Sequence, residues 1–455
     1  MSPRTPPTST LRQKLLAALV LALALGLGLL LVLRLTASVP GAEPQEEARS
    51  EPPWGTGQSR PEDLGVQLVV FGPGHLDDIP SWWGHAALAV EDRQAQHARL
   101  YNYGMFDFRK FNEFALGRLD FYVDDAPVVP YLRFYRSLDR DVRLVDLNLE
   151  PSGAARVAAH LAQNVRPEHR HYLYDHYRDN CATRLRDAID LGTGGQFKQF
   201  LAAPGRMTLR EHTRRYTAVS PPVSVLLDFM MNDSIDRPLT RWDEAFLPDE
   251  LEASVRDFRY TRADGSTVPL LKETRVVHAS RSLAPARAEP LRSTPWLLGG
   301  GLAWGALALG LGAWWSRSGR AGARVLLGLH TALTGLLLGL LGTVLLGLWA
   351  VTDHAVTFHN ENLLLANPLT LLALPLGLSL ARGREPRTPG RLRRLWGALG
   401  VLALLGLALK ALPAFDQDNW NILAGLLPAV LGLGAAHARA PAREAARAGS
   451  VPSLG

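Results

Sequence analysis

Cys181 is the one cysteine of the sequence, and it lies in the run Tyr174-Asp175-His176-Tyr177-Arg178-Asp179-Asn180-Cys181-Ala182-Thr183-Arg184. Well upstream stands Trp82-Trp83-Gly84-His85-Ala86-Ala87. A single cysteine cannot form an internal disulfide. The hydrophobic stretches on either side place this segment outside the cytoplasm, where free thiols tend to oxidise. A thiol kept there points to nucleophilic catalysis with a histidine as base. The pattern of Cys181 to Leu191 is helical and stops at Gly192, so Cys181 opens a helix. A helix start favours an anion, lowers a thiol pKa and offers N–H groups to an oxyanion. His85 begins a strand, after a glycine that permits close approach. If 85–91 and 100–105 pair as a hairpin, Asn102 lands beside His85 and can fix its tautomer.

Blander readings stand beside this one. A lone cysteine is often only a small buried hydrophobe, and an isolated histidine is more often structural. His75, His97, His169, His171 and His176 read equally well as surface residues, and Asp179 and Asp187 as helix caps or ion-pair partners. A zinc site would need tighter ligand pairs than His85 and Cys181 supply. The catalytic reading rests on Gly-His and Asn-Cys occurring together in an exported domain with no other cysteine. It calls for no metal and no cofactor.

The elements that must position these residues are those of an α+β domain. Strands are expected at 66–71, 86–90, 100–105, 121–123 and 142–149, and a helix over Pro151–Asn164, whose apolar residues recur at helical spacing.

Composition divides the chain. Residues 15–33 and 296–437 carry long Leu/Ala/Gly/Val runs, whereas 40–290 read as a soluble domain. The net charge of +6 does not mark a nucleic-acid binder, because much of the excess is Arg in short loops beside apolar spans. Residues 1–14 then form a cytoplasmic N-terminus, 15–36 a transmembrane signal anchor, and 37–64 a Pro/Glu/Ser/Gly-rich linker. A cleaved signal peptide is the alternative for the anchor. The catalytic domain covers 65–290, five spans occupy 295–437, and 438–455 is a cytoplasmic tail. The spans are expected at 296–315, 325–350, 363–381, 395–413 and 421–437. Loops 316–324 and 382–394 are Arg-rich, while 352–362 and 415–421 have no Lys or Arg. That alternation puts both termini in the cytoplasm and 40–290 outside it. Pro368 and Pro375 suggest a kink in the third span.

The Arg-free loops are unusually polar: Asp353-His354-Ala355-Val356-Thr357-Phe358-His359-Asn360-Glu361-Asn362, and Phe415-Asp416-Gln417-Asp418-Asn419-Trp420-Asn421. They read either as hydrated turns with aromatic anchors or as a polar rim under the soluble domain. In the second reading His354, His359, Asn360 and Asn362 bind substrate.

Five ordered motifs carry a family resemblance. They are Trp83-Gly84-His85-Ala86-Ala87-Leu88, Tyr101-Asn102-Tyr103-Gly104-Met105-Phe106-Asp107-Phe108, Phe114-Ala115-Leu116-Gly117-Arg118-Leu119-Asp120-Phe121, Tyr174-Asp175, and Asp179 to Asp187. Over roughly 66–240 they resemble the Lnb-type extracytoplasmic domain, which is similar to permuted NlpC/P60-like (papain-like) thiol enzymes. The hydrophobic C-terminal region resembles the membrane part of the same family. The resemblance implies a permuted papain-like fold joined to an α-helical membrane domain, with Cys181 as nucleophile and His85 as base. The third member, Asn102, is a geometric expectation. The implied activity is lipoprotein N-acylation in the bacterial inner membrane, with the catalytic domain on the periplasmic side. A phospholipid is the acyl donor and a diacylglyceryl-lipoprotein the acceptor. A membrane-tethered cysteine amidase acting on peptidoglycan would use the same residues but leaves the five spans unexplained. A non-enzymatic lipid- or lipoprotein-binding scaffold is the third reading. Residues 195–290 receive no role.

Overall fold

The computed structural model describes residues 51–107, 113, 115–283 and 285–439. The expected anchor, the first half of the linker, nearly all of the tail, and Phe108 and Phe114 of the quoted motifs lie outside the described residues.

The N-terminal part runs β1 (Leu64–Phe71), β2 (His85–Asp92), β3 (His97–Phe106), β4 (Asp120–Ala126), α1 (Val128–Ser137), β5 (Val142–Leu147), α2 (Pro151–Asn164), β6 (His171–Leu173) and α3 (Cys181–Gly192). There follow α4 (Leu209–Tyr216), α5 (Pro221–Met230), α6 (Pro248–Asp257), β7 (Arg259–Thr261), β8 (Thr267–Pro269) and β9 (Leu271–His278). Seven strands form one sheet in the order β6-β4-β3-β2-β1-β5-β9, with every neighbouring pair antiparallel. β1 ends in an unbroken apolar run because both faces of the sheet are covered. Leu68 and Val70 pack with Val157, Leu161, Leu185 and Ile189 of α2 and α3. Val69 and Phe71 pack on the other face with Tyr135 of α1. The sheet-plus-helix expectation is met. α1, β6 and β9 were not anticipated.

α2 starts on a proline, whose missing N–H costs nothing in a first helical turn. α3 starts on a reciprocal cap: Thr183 N–H donates to Asn180 Oδ1 at 3.0 Å, and Asn180 N–H donates to Thr183 Oγ1 at 2.8 Å. Such a cap contributes about 1 kcal/mol and fixes where Cys181 points.

The expected linker is too long. Trp54 is buried in the main core and its indole N–H donates to Tyr101 Oη at 2.8 Å. Residues 51–63 therefore belong to the domain, since burying an aromatic ring outweighs the Pro/Gly-rich composition around it.

The C-terminal part holds α7 (Thr294–Ser318), α8 (Ala321–Val351), α9 (Ala373–Arg382), α10 (Thr388–Leu409) and α11 (Trp420–Ala438). Among the described residues, four of these helices are long and apolar enough to cross a membrane. The expected third span is not one helix. It is a pair, Ala355–Leu364 and Pro368–Arg382, bent by 52°. Pro368 cannot donate into a helix, and Asn367 Oδ1 instead accepts from Leu369 N–H at 3.1 Å, which ends one segment and starts the next. The fourth helix begins and ends earlier than 395–413, because Lys410 turns to pair with Glu361. Small residues let these helices close in: a Cβ on Gly432 would stand 2.4 Å from Gly305 Cα, joining α11 to α7.

Residues 210–236 form the joint between the two parts, whereas Phe197, Leu251 and Leu270 lie in the main core and β9 closes the sheet. Phe229 of α5 lies in the membrane-domain core, with Val225 and Met230 packed against it. Arg210, 1% exposed, donates to Asp228 at 2.8 Å and Asp236 at 2.5 Å. Arg214 bonds Asp228 on its own side and Asp418 on the other. Asn232 N–H donates to Val356 O at 2.7 Å, and its amide donates to Ala355 O and Phe358 O.

Candidate active site

β2 and β3 pair from Leu88 opposite Tyr101 to Asp92 opposite His97, and not beyond. Past Tyr101, β3 slips against β4 between Asn102 and Met105. Gly104 there has φ +96°, a backbone conformation that disfavours a side chain. The two strands therefore part at the start of β2, where His85 stands. A Cβ on Gly104 would lie 3.8 Å from His85 Cε1 and 4.0 Å from Cys181 Cβ. Both residues thus border the space that the missing side chain leaves.

His85 Nε2 lies 2.5 Å from Asn102 Oδ1. The Asn102 amide is oriented from its other end, where Nδ2 donates to Met105 Sδ at 3.3 Å and Tyr131 Oη at 3.5 Å. With Nε2–H donating to Asn102, Nδ1 is the basic nitrogen. The imidazole stacks 6.0 Å from both Phe71 and Tyr135, which are themselves 3.7 Å apart. Phe71 is the register partner of His85 across β1 and β2, so the sheet itself sets the ring's position.

Cys181 is partly buried. The backbone N–H groups of Ala86, Ala182 and Cys181 point at its sulfur. Burial pushes the thiol up by more than those N–H groups and the Arg140 charge pull it down. The thiolate expected from a helix start is therefore not the resting form. The helix start is still there, but Cys181 packs against the main core together with Tyr172, and desolvation dominates. Burial likewise takes His85 down to about 4, opposed by the Asn102 bond and reinforced by Arg140. At neutral pH the pair rests as thiol and neutral imidazole. Such a pair can transfer its proton as the sulfur attacks, with the N–H groups at the start of α3 available to an oxyanion.

The structure brings His85, Asn102 and Cys181 together. It places the four loop residues elsewhere. Asn360 and Asn362 are buried, and both amides donate to Phe229 O, at 3.2 and 2.8 Å. Asn362 Oδ1 also accepts from Asn419 at 2.8 Å. These polar groups are committed to the joint, so the two asparagines are struts and not an open binding rim. His359 is exposed, with φ +50° and its ring 5.0 Å from Trp349. His354 lies in the turn beside Asp353, which pairs with Arg118 at 3.1 Å.

The joint nevertheless reaches the site. Val356 and Trp83, which stands two residues before His85, both pack against a cluster that includes Tyr177, four before Cys181. The ring of Trp83 lies 4.8 Å from that of His176. Sequence reasoning missed Phe71, Tyr135 and Arg140. The strand expected at 66–71 already held Phe71, but nothing local pointed to the other two.

No curated protein matches the chain, and no solved structure does. A family model described as the Lnb N-terminal periplasmic domain matches residues 50–219. A second, described as the Lnb transmembrane domain, matches residues 307–424. The first match holds His85, Asn102 and Cys181, and the second holds most of the helical part together with the polar loops that meet the soluble domain. Matched in both parts and over more than half its length, the chain belongs to the Lnb-type lipoprotein N-acyltransferase family.

Proposed function

We propose that this multi-pass membrane protein transfers a fatty acyl chain from a phospholipid or glyceride ester to the N-terminal amine of a bacterial lipoprotein, through a thioester on Cys181. The observation that carries the reading is the pairing of Cys181 with the His85–Asn102 couple across the gap at Gly104. Its setting supports the same reading, since the walls of the site share a cluster with Val356 of the membrane domain. The order His85, Asn102, Cys181 is that of a permuted papain-like enzyme.

In this mechanism His85 Nδ1 takes the thiol proton as Cys181 Sγ attacks the ester carbonyl. N–H groups at the start of α3 hold the tetrahedral oxyanion. The intermediate collapses to a thioester, and His85 returns the proton to the departing glycerol oxygen. The lipoprotein amine then attacks the thioester, His85 accepts a proton from that nitrogen, and the thiol is regenerated as the amide forms. Both substrates are membrane-anchored, which accounts for a helical domain bonded rigidly beneath the catalytic one. The site then faces the periplasm from the inner membrane. The chemistry requires no metal or cofactor.

Mass spectrometry of lipoprotein N-termini tests this, in cells lacking N-acylation that express either the wild-type chain or Cys181→Ala. An N-acyl group restored by the wild type alone is the expected result. If the membrane-inserted wild type restores none, the acyltransferase reading fails and cleavage of peptidoglycan amides becomes the reaction to assay.

A further inference from the structure

Arg140 is a buried cation next to this site, and neither its burial nor its position is explained by what surrounds it. It is 6% exposed and makes no ion pair with any described carboxylate. Its Nε donates to Gly72 O at 2.8 Å, and Nη2 is buried without a hydrogen-bond partner. The guanidinium carbon lies 5.0 Å from the centre of the Tyr135 ring. Tyr135 stacks in turn against His85. The Gly72 carbonyl directly follows Phe71, the register partner of His85. Arg140 is thus fastened to the strand that seats the imidazole, one ring behind it.

The neighbouring acids are engaged elsewhere. Asp139 bonds His278 at 2.9 Å and Ser282 Oγ at 2.6 Å, and Asp141 accepts from Ser280 N–H at 2.7 Å. Asp78 is the acid whose charge acts on Arg140, and burial pushes its own carboxyl up toward the neutral form. A buried, unpaired guanidinium is costly unless it meets negative charge. The groups nearby that can carry such charge are Asp78, Tyr135, which burial keeps neutral, and Cys181.

We propose that Arg140 is a positioning residue whose charge, held behind the His85 ring, stabilises the anion that forms at Cys181 during attack. The proposal rests on Cys181 as the nucleophile and adds the residue that makes its anion accessible. Burial is what holds His85 neutral, and the Arg140 charge adds to it, so the same charge that favours the thiolate makes the imidazole a weaker base. The Cys181 titration is therefore set by burial against the core on one side, and by the backbone N–H groups and Arg140 on the other.

The test is the pH dependence of Cys181 alkylation by iodoacetamide in the full chain in detergent. With one cysteine in the sequence the label has a single target. Arg140→Met is compared with Arg140→Lys, which keeps the charge. The Met variant should alkylate about tenfold more slowly at a fixed pH below the thiol pKa, its profile displaced to higher pH, while the Lys profile stays near the wild type. Coincident profiles for all three proteins overturn the proposal, and so does a Lys variant displaced as far as Met. If Arg140→Met does not fold, Arg140→Gln takes its place, keeping a donor for the Gly72 carbonyl without the charge. Alkylation does not depend on acyl transfer, so failure here is separable from failure of the acyltransferase reading.

Discussion

Replacing Asn102 by alanine removes the one hydrogen bond to His85 Nε2. In the resting enzyme the loss is modest, because the imidazole is neutral and its plane is still held by Phe71 and Tyr135. The cost falls on the step in which His85 has taken the thiol proton. The imidazolium then presents a buried Nε2–H with no acceptor. A hydrogen bond to a charged group is worth about 1.5–3 kcal/mol, which lowers the rate by about 10- to 150-fold at about 1.4 kcal/mol per decade. The Nε2–Oδ1 separation of 2.5 Å and the locked Asn102 amide argue for the upper part of that range. The assay is single-turnover acylation of Cys181 by a phospholipid, followed by intact-protein mass spectrometry at neutral pH. Asn102→Asp is the informative companion. A carboxylate there raises the imidazole from about 4 by roughly 1–3 units, so a pH limb should appear nearer neutrality. If Asn102→Ala acylates at the wild-type rate, the hydrogen bond has no part in the reaction and the assignment of Nδ1 as the base loses its support.

Other perturbations follow from the same geometry. Gly104→Ala should leave the chain folded, at a cost of about 1–3 kcal/mol for a side chain at φ +96°, while abolishing both acyl transfer and Cys181 alkylation; retained alkylation would mean the gap is not the route to the sulfur. His85 and His176 are both lowered to about 4 from an ordinary 6.5 by burial. The unfolded chain therefore binds more protons between those values, so stability should fall as pH drops through that window, by at most about 1.4 kcal/mol per pH unit for each histidine. Unfolding curves across that range check this, and His176→Asn should lessen the slope. Arg210→Met leaves Asp236 buried without its ion-pair partner and Asp228 with Arg214 alone, and should destabilise the joint by about 3 kcal/mol. Faster proteolysis between residues 228 and 236 would report it, and unchanged cleavage would refute it.

Much of the site was legible because it depends on local pattern. The helix at Cys181 followed from apolar spacing ended by Gly192, and the hairpin carrying His85 and Asn102 followed from two apolar runs around a polar turn. The resting charge state was not legible. The helix start predicted a lowered thiol, but the core that desolvates it is gathered from strands and helices distant in sequence. The joint was hidden for the same reason. Asn360 and Asn362 are polar residues beside a membrane span, which suits a binding rim as well as a strut. Only their carbonyl partner on Phe229, far away in the chain, separates the two. The kink expected from Pro368 and Pro375 appeared as a break at Asn367–Pro368. Composition could locate the breaker but could not tell a bent helix from two segments.

The bonds that Asn232 makes to Ala355, Val356 and Phe358 have a practical consequence for dissecting this protein. A cut near residue 290 looks natural by hydropathy, yet it would strip Asn232, Phe229 and Arg214 of neighbours supplied by residues 353–362 and 417–419. The N-terminal half expressed alone would carry a raw apolar and charged face, and a helical half grafted onto another protein would lose its lock. Chimeras between relatives should therefore exchange 228–236 together with both loops, since the unit of inheritance here is the keyed pair and not either half of the chain.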